Sequence, residues 1–221
     1  MEIESTVKDS KLIQQRREQI VAVACDLFAR QGFHKTTMKE IAEACGLAFG
    51  SLYSYFQTKE DILYMVFEWV LTDKLRKVKE IKITHTNPEA QLRDVLRFAS
   101  ETAFLKQNEL QLLYRENSTL KHASKNYLQE IFAIEREYIS VLKEILDRGV
   151  EQGVFRLIDS HLVANVIPLL LAIWPLKRWN LKGYTAERVT EEVIEFVVRG
   201  IKAPPDAGQV DLQKPETWRK A

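Results

Sequence analysis

Apolar residues along this chain recur at intervals of three and four rather than two, the spacing of helices that turn one face inward. Ile20, Ala24, Leu27 and Phe28 share one face of a first helix, which Gly32 should end. Met38, Ile41, Ala42 and Cys45 mark a second, two turns long and stopped by Gly46. Leu52 and Phe56 anchor a short third, and Ile62, Leu63, Val66, Phe67, Val70 and Leu75 a longer fourth. After His85-Thr-Asn-Pro88 the helices lengthen. One opens at Pro88 with Leu92, Val95, Leu96 and Ala99 inward, and another holds Leu110 and Leu113. A long one runs from about Tyr127 to the 149–153 region, and two more are expected over 160–179 and 186–200. No strand ladder or internal repeat interrupts the pattern. The fold class is all-α, and the Pro- and Gly-containing tail over 203–221 is expected to be loose.

Two short segments carry end signals as well as periodicity. Thr37 followed by Glu40 is a capping box opening the second helix, and Thr58 with Asp61 repeats the device at the fourth. Gly46 supplies a left-handed turn and Leu47 plugs the corner between two crossing helices, which is a helix-turn-helix. With Leu52 and Phe56 inward, the outer face of the third helix holds Phe49, Gly50, Ser51 and Ser54. That face is nearly uncharged, as suits a surface pressed into a groove rather than solvated.

Composition narrows the classes further. Hydrophobic residues make up 46% and charged residues 29% of 221, enough for a sizeable core and unlike a disordered chain. The net charge of +1 gives nucleic acid no support, so any such case rests on motif geometry. The two cysteines, Cys25 and Cys45, fall on inward faces and read as small core residues of a reducing compartment. The longest apolar stretch, 162–174, is broken by Asn165 and Pro168 and is shorter than the roughly 20 residues of a membrane span. The expectation is a cytoplasmic protein with no membrane association. The four histidines lack ligand spacing, and no Gly-rich phosphate loop or nucleophile elbow occurs, so no metal, cofactor or enzymatic activity is expected. Glu187, Glu191, Glu192 and Glu195 read as a solvated face of the last helix.

Over residues 20–66 the sequence resembles the tetracycline-repressor (TetR) family. The resemblance rests on Phe28-Ala-Arg-Gln-Gly-Phe33, Thr36-Thr37, Ile41-Ala42, Cys45-Gly46-Leu47, Gly50-Ser51-Leu52-Tyr53, Tyr55-Phe56 and Lys59-Glu-Asp-Ile-Leu63, in order and correctly spaced. Gly149-Val-Glu-Gln-Gly153-Val-Phe155-Arg156 and Val198-Arg-Gly200 also fit it. It implies a three-helix DNA-binding domain over 1–58 and a larger helical domain for effector binding and dimerisation over 59–202. Thr37, Tyr53, Tyr55 and Lys59 would meet phosphates, and Phe49, Gly50 and Ser51 would face base edges with Thr36 and Lys39 nearby. The chain departs from the family pattern at Ala48, where a polar cap is usual, and at Phe49, where a polar or basic side chain is common.

The implied function is a homodimeric transcriptional repressor that leaves double-stranded operator DNA when a small, largely apolar effector binds. Apolar positions on several faces of the last two helices suit a dimer interface: Leu162, Val163, Val166, Ile167, Leu170, Ile173 and Trp174 on one, Val189, Val193, Phe196, Val197 and Ile201 on the other. Effector-pocket candidates are Trp69, Phe104, Leu105, Leu113, Tyr114 and Phe132, together with Tyr138, Ile167, Leu171, Trp174 and Arg178. Their aromatic richness favours a sizeable apolar ligand. The run from Trp174 to Gly183 resembles a Trp-plus-basic signature of family members that sense acyl-CoA thioesters, which would set Lys177, Arg178 and Lys182 against a CoA head group. An activator of the same architecture, or a helical small-molecule-binding protein with a vestigial helix-turn-helix, remains open at this level.

Overall fold

The computed structural model describes residues 2–84, 86–121 and 126–204. Ten helices run through them: α1 (Glu2–Gln31), α2 (Met38–Ala44), α3 (Phe49–Leu52), α4 (Lys59–Thr84), α5 (Pro88–Leu105), α6 (Gln107–Leu120), α7 (Tyr127–Glu151), α8 (Ser160–Leu171), α9 (Ile173–Lys177) and α10 (Ala186–Ile201). No β-strand occurs among the described residues beyond one isolated bridge between Phe155 and Lys202. The expected tail lies, from residue 205, outside the described residues.

The apolar stripes assemble into two cores. The first gathers Ile20, Ala24 and Phe28 of α1, Ile41 of α2, Leu52 of α3 and Ile62, Leu63, Val66 and Phe67 of α4. Leu112 and Leu120 of α6 and Tyr127 and Ile131 of α7 close its other side. The second contains Leu92, Val95 and Leu96 of α5, Leu142, Ile145 and Leu146 of α7, Ile167 and Leu171 of α8 and Ile194 and Val198 of α10. Leu75 and Val78, further along α4, belong to this second core. A division at residue 58 therefore separates the first turns of α4 from the three helices against which they are buried.

The expected helix over 160–179 is two helices, α8 and α9, divided at Ala172. Pro175 has no N–H to donate back to Leu171, and its ring crowds that turn. Pro168 sits inside α8 without ending it. The acidic residues of α10 are only partly a solvated face. Glu195 pairs with Arg93 at 2.7 Å and Glu191 with Arg97 at 3.0 Å, tying α10 to α5. Beneath them the buried Thr190 hydroxyl donates to Ser100 at 2.9 Å.

The segment after α7 folds back across its last turn. Val154 and Phe155 both donate their N–H groups to the Gly149 carbonyl, at 2.9 and 3.0 Å. Arg156 N–H reaches the Ile201 carbonyl at 2.9 Å, clipping this segment to the end of α10. The buried Phe155 ring lies flat against the Gly149 Cα, and a Cβ there would overlap it. Gly149→Ala should therefore destabilise the protein by about 1–3 kcal/mol, the range for overpacking a tight core. Chemical denaturation checks this. Combining it with Phe155→Leu should give a loss smaller than the sum of the two single losses, because the overlapping ring is gone.

Candidate nucleic-acid interface and ligand cavity

The helix-turn-helix is built by local hydrogen bonding before packing. Glu40 N–H donates to Thr37 Oγ1 at 3.2 Å and Thr37 N–H to Glu40 Oε2 at 2.7 Å, so the predicted capping box is complete. The Thr37 N–H first, and then the Thr37 hydroxyl, which donates to the same Oε2 at 2.8 Å, hold the Glu40 carboxyl below its ordinary range. Gly46 has φ +64°, a conformation that a side chain would strain, and Leu47 N–H closes back on the Ala42 carbonyl at 2.9 Å. The second box forms too: Asp61 N–H donates to Thr58 Oγ1 at 3.1 Å and Thr58 N–H to Asp61 Oδ2 at 3.0 Å. α3 starts at Ala48 with no side-chain cap and lasts four residues.

Leu52 and Phe56 are buried as predicted, while Phe49, Gly50, Ser51, Tyr53 and Ser54 are exposed. The Phe49 and Tyr53 rings meet edge to face, 5.2 Å apart at 87°, and form an outward aromatic ridge. Among the described residues, no atom beyond its chain neighbours and its own helix backbone lies within 4 Å of where a Gly50 Cβ would sit. Thr37 and Lys39 are exposed beside this ridge, Lys39 only loosely facing Glu43 at 3.9 Å. Tyr55 is half-buried and packs on the first core.

Two of the predicted DNA contacts have other work. Thr36 is buried, and its hydroxyl donates to the Gly32 carbonyl at 2.9 Å, fastening the turn after α1. Lys59 Nζ donates to three carbonyls, of Phe33 at 3.0 Å, Thr36 at 3.2 Å and His34 at 3.3 Å. It also sits 4.5 Å from the Phe33 ring centroid. All three ammonium protons are engaged, so Lys59 is a staple between α4 and the α1–α2 turn rather than a free phosphate contact.

A partly open cavity of about 100 Å³ lies among α4, α6 and α7, with Pro168 at one side. Leu113, Tyr114, Phe132 and Tyr138 line it as predicted, together with Phe67, Leu71, Lys74, Ile131, Ile134 and Glu135. The large side chains that predicted a sizeable space instead occupy it. Other pocket candidates sit elsewhere: Trp69 packs on the first core, Ile167 and Leu171 are in the second, and Leu105 and Arg178 are exposed. Phe104 and Trp174 pack on each other at 5.1 Å. Lys177 and Lys182 are exposed.

The lysine in this cavity was missed, although a signal existed. Phe67, Leu71, Lys74 and Val78 follow one another at helical spacing, so Lys74 interrupts an inward stripe. Its ammonium lies 3.9 Å from the Tyr138 ring centroid. Burial draws the Lys74 ammonium down to about 8, opposed by the charge of Glu135. The Tyr138 hydroxyl is buried with no hydrogen-bond partner among the described residues, and burial pushes its ionisation upward. Cys25 is a buried thiol that burial, and then the nearby Glu109, pushes up to about 12, which leaves it unreactive.

One contact joins cavity wall to DNA reader. Asp61 Oδ2 accepts the Gln57 and Thr58 N–H groups, each at 3.0 Å, while Oδ1 accepts the Tyr127 hydroxyl from the start of α7. Tyr64, one turn along α4, stacks on Tyr127 at 4.2 Å. Sequence offers no hint of a bond across 66 positions. Among the described residues no helix is long and apolar enough to cross a membrane, and no group of His, Cys, Asp and Glu has a metal-binding arrangement.

The chain is 29% identical over 196 residues to the HTH-type transcriptional repressor KstR2 of Rhodococcus jostii, covering 86% of this chain and 92% of the relative. It is 24% identical over 188 residues to the fatty acid metabolism regulator protein of Bacillus subtilis, covering 83% and 94%. Among solved structures, the ketosteroid regulator KstR2 of Mycobacterium tuberculosis superposes with a TM-score of 0.73 at 25% identity, over 86% of this chain and 96% of that one. AibR in complex with isovaleryl coenzyme A and operator DNA shares the fold, with a TM-score of 0.70 at 23% identity over 82% and 97%. Residues 20–64 match the model for bacterial regulatory proteins of the tetR family, and 85–201 the tetracyclin repressor-like C-terminal domain. The chain is a member of the TetR family of DNA-binding transcriptional regulators.

Proposed function

We propose that this protein is a homodimeric repressor whose two helix-turn-helix units occupy one operator and which lets go when an acyl-CoA thioester places its acyl group in the cavity. The carrying observation is the outward ridge of Phe49, Gly50, Ser51 and Tyr53 on a helix anchored in the first core by Leu52. Relatives named as repressors support the direction of control, and the AibR complex, which holds isovaleryl coenzyme A, supports the ligand class. A volume of about 100 Å³ suits a short or branched acyl group; a cavity of roughly 150 Å³ holds benzene. α7 lines this cavity and also touches Asp61, so ligand binding and reader position share one helix. Coupling of this kind is typically about 1–3 kcal/mol and reciprocal, so DNA should weaken effector binding by the same factor.

Dimerisation follows from a second exposed pattern. Leu162, Val166, Leu169, Ile173 and Leu176 are all exposed and spaced by four, three, four and three, a continuous apolar stripe across α8 and α9. Phe196 of α10 is 71% exposed. An uncovered stripe of this kind marks a partner surface, and one reader alone buries too little DNA for selective binding.

Gel shifts with the promoter fragment of the protein's own gene test the reading, and no binding even at low salt would overturn it. Tyr53→Phe should weaken binding to every sequence with an unchanged melting temperature, whereas Lys59→Ala should lower both. Gly50→Ala should leave stability level or slightly raised, by up to about 1 kcal/mol from helix propensity, yet weaken DNA binding where the backbone meets the groove. Leu169→Glu combined with Phe196→Glu should give a helical monomer by light scattering, with operator affinity reduced at least in step.

A further inference from the structure

The cavity has one property that an effector with a plain hydrocarbon tail does not explain. Lys74 projects from the apolar stripe of α4 into a space walled by Phe67, Leu71, Ile131 and Ile134. Its ammonium contacts the face of the Tyr138 ring, and among the described residues no carboxylate lies within ion-pair distance of it. Glu135 on α7 lines the cavity and acts on Lys74 only through its field, while Tyr114 on α6 and Tyr138 on α7 are the other titratable groups facing the space. The Tyr138 hydroxyl, on a residue 4% exposed, has no partner among the described residues.

A half-buried cation held over a ring face, with the buried and unused hydroxyl of the same tyrosine, is costly unless an acceptor arrives. Filling the cavity with hydrocarbon would seal both groups from water and compensate neither. We propose that the cavity recognises a carboxylate carried on a short apolar body, one oxygen held by the Lys74 ammonium and the other by the Tyr138 hydroxyl. Among the described residues Lys74 is the one cation lining the space and Glu135, beyond ion-pair distance, already offsets part of its field, so the site can match at most a single negative charge, which fits a carboxylate and leaves a phosphate dianion uncompensated. The small volume limits the body to a few carbons. Such a carboxylate could end the acyl chain of a thioester or belong to a free acid. The inference rests on reading this cavity as the effector site, and its test separates the two.

Matched five-carbon pairs serve as probes: glutaryl-CoA against isovaleryl-CoA, and glutarate against isovalerate. Each is titrated into the full-length protein, followed by melting temperature and by release of the promoter fragment. The carboxylate-bearing thioester should bind more tightly than its partner by on the order of ten-fold or more, the worth of a charge-assisted hydrogen bond. Lys74→Met, similar in length and apolar, should still bind DNA and lose that preference. Tyr138→Phe, which keeps the ring against Lys74, should lose part of it. If glutarate binds and neither thioester does, the carboxylate site stands and the acyl-CoA reading falls. If isovaleryl-CoA binds as well as glutaryl-CoA, or Lys74→Met keeps the preference, the carboxylate site is overturned and the acyl-CoA reading stands. Absence of any response to all four probes overturns both.

Discussion

A single buried carboxylate decides how the two halves of this molecule meet. Asp61 caps α4 with one oxygen and accepts the Tyr127 hydroxyl with the other, and it is only 8% exposed. The N-terminus of α4, the exit of the recognition helix and the start of α7 are therefore set by one group. Removing either partner would strand buried polar atoms, which costs more than the bond itself contributes. Lys59 completes the arrangement from the neighbouring position, tying α4 to the carbonyls of the α1–α2 turn. The DNA reader is thus fixed to the end of α4 by hydrogen bonds as well as by apolar contacts.

α4 in turn belongs to both cores. Its first turns bury Ile62, Leu63, Val66 and Phe67 with the reader, and its later turns bury Leu75 and Val78 with α5, α7 and α10. Between these two sets lie Leu71 and Lys74, at the cavity. The cavity occupies the one stretch of α4 where the apolar stripe is broken, between two well-packed ends. Under the proposed reading, a ligand there would meet a rod whose two ends are packed into different cores.

What sequence could reveal follows from how far apart the interacting groups lie. Both capping boxes span three residues, and Gly32 and Gly46 impose their own backbone geometry, at φ +88° and +64°. Those features, and the inward positions of Leu52 and Phe56, were readable because they are local and periodic. The Tyr127–Asp61 bond and the Lys59 staple cross 66 and 23–26 positions, and no spacing rule reaches that far. The resemblance sets Lys59 at a phosphate and Thr36 near base edges, yet both side chains also have the donors that fasten the turn after α1. Lys74 was legible as a misfit in a stripe, and the Ala172 break as a consequence of Pro175. Pocket candidates chosen for aromaticity divided between cavity, cores and surface, since a large ring fills space as readily as it lines it.

The geometry of α4 also sets the scale of the response. Lys74 and Lys59 are fifteen residues apart, roughly 22 Å along the helix axis at 1.5 Å per residue. A tilt of about 5° pivoting near the cavity moves the α4 N-terminus by roughly 2 Å, and in a two-fold dimer the separation of the readers changes by up to about 4 Å. Half-sites one turn apart need readers spaced about 34–36 Å, with side chains held to hydrogen-bond tolerances of a few tenths of an ångström. The nearly uncharged ridge of Phe49, Gly50, Ser51 and Tyr53 has little long-range attraction to offset a misfit of that size. A reader of this kind depends on placement more than on charge, so on the proposed mechanism a small wedge acting on α4 would suffice to break the match.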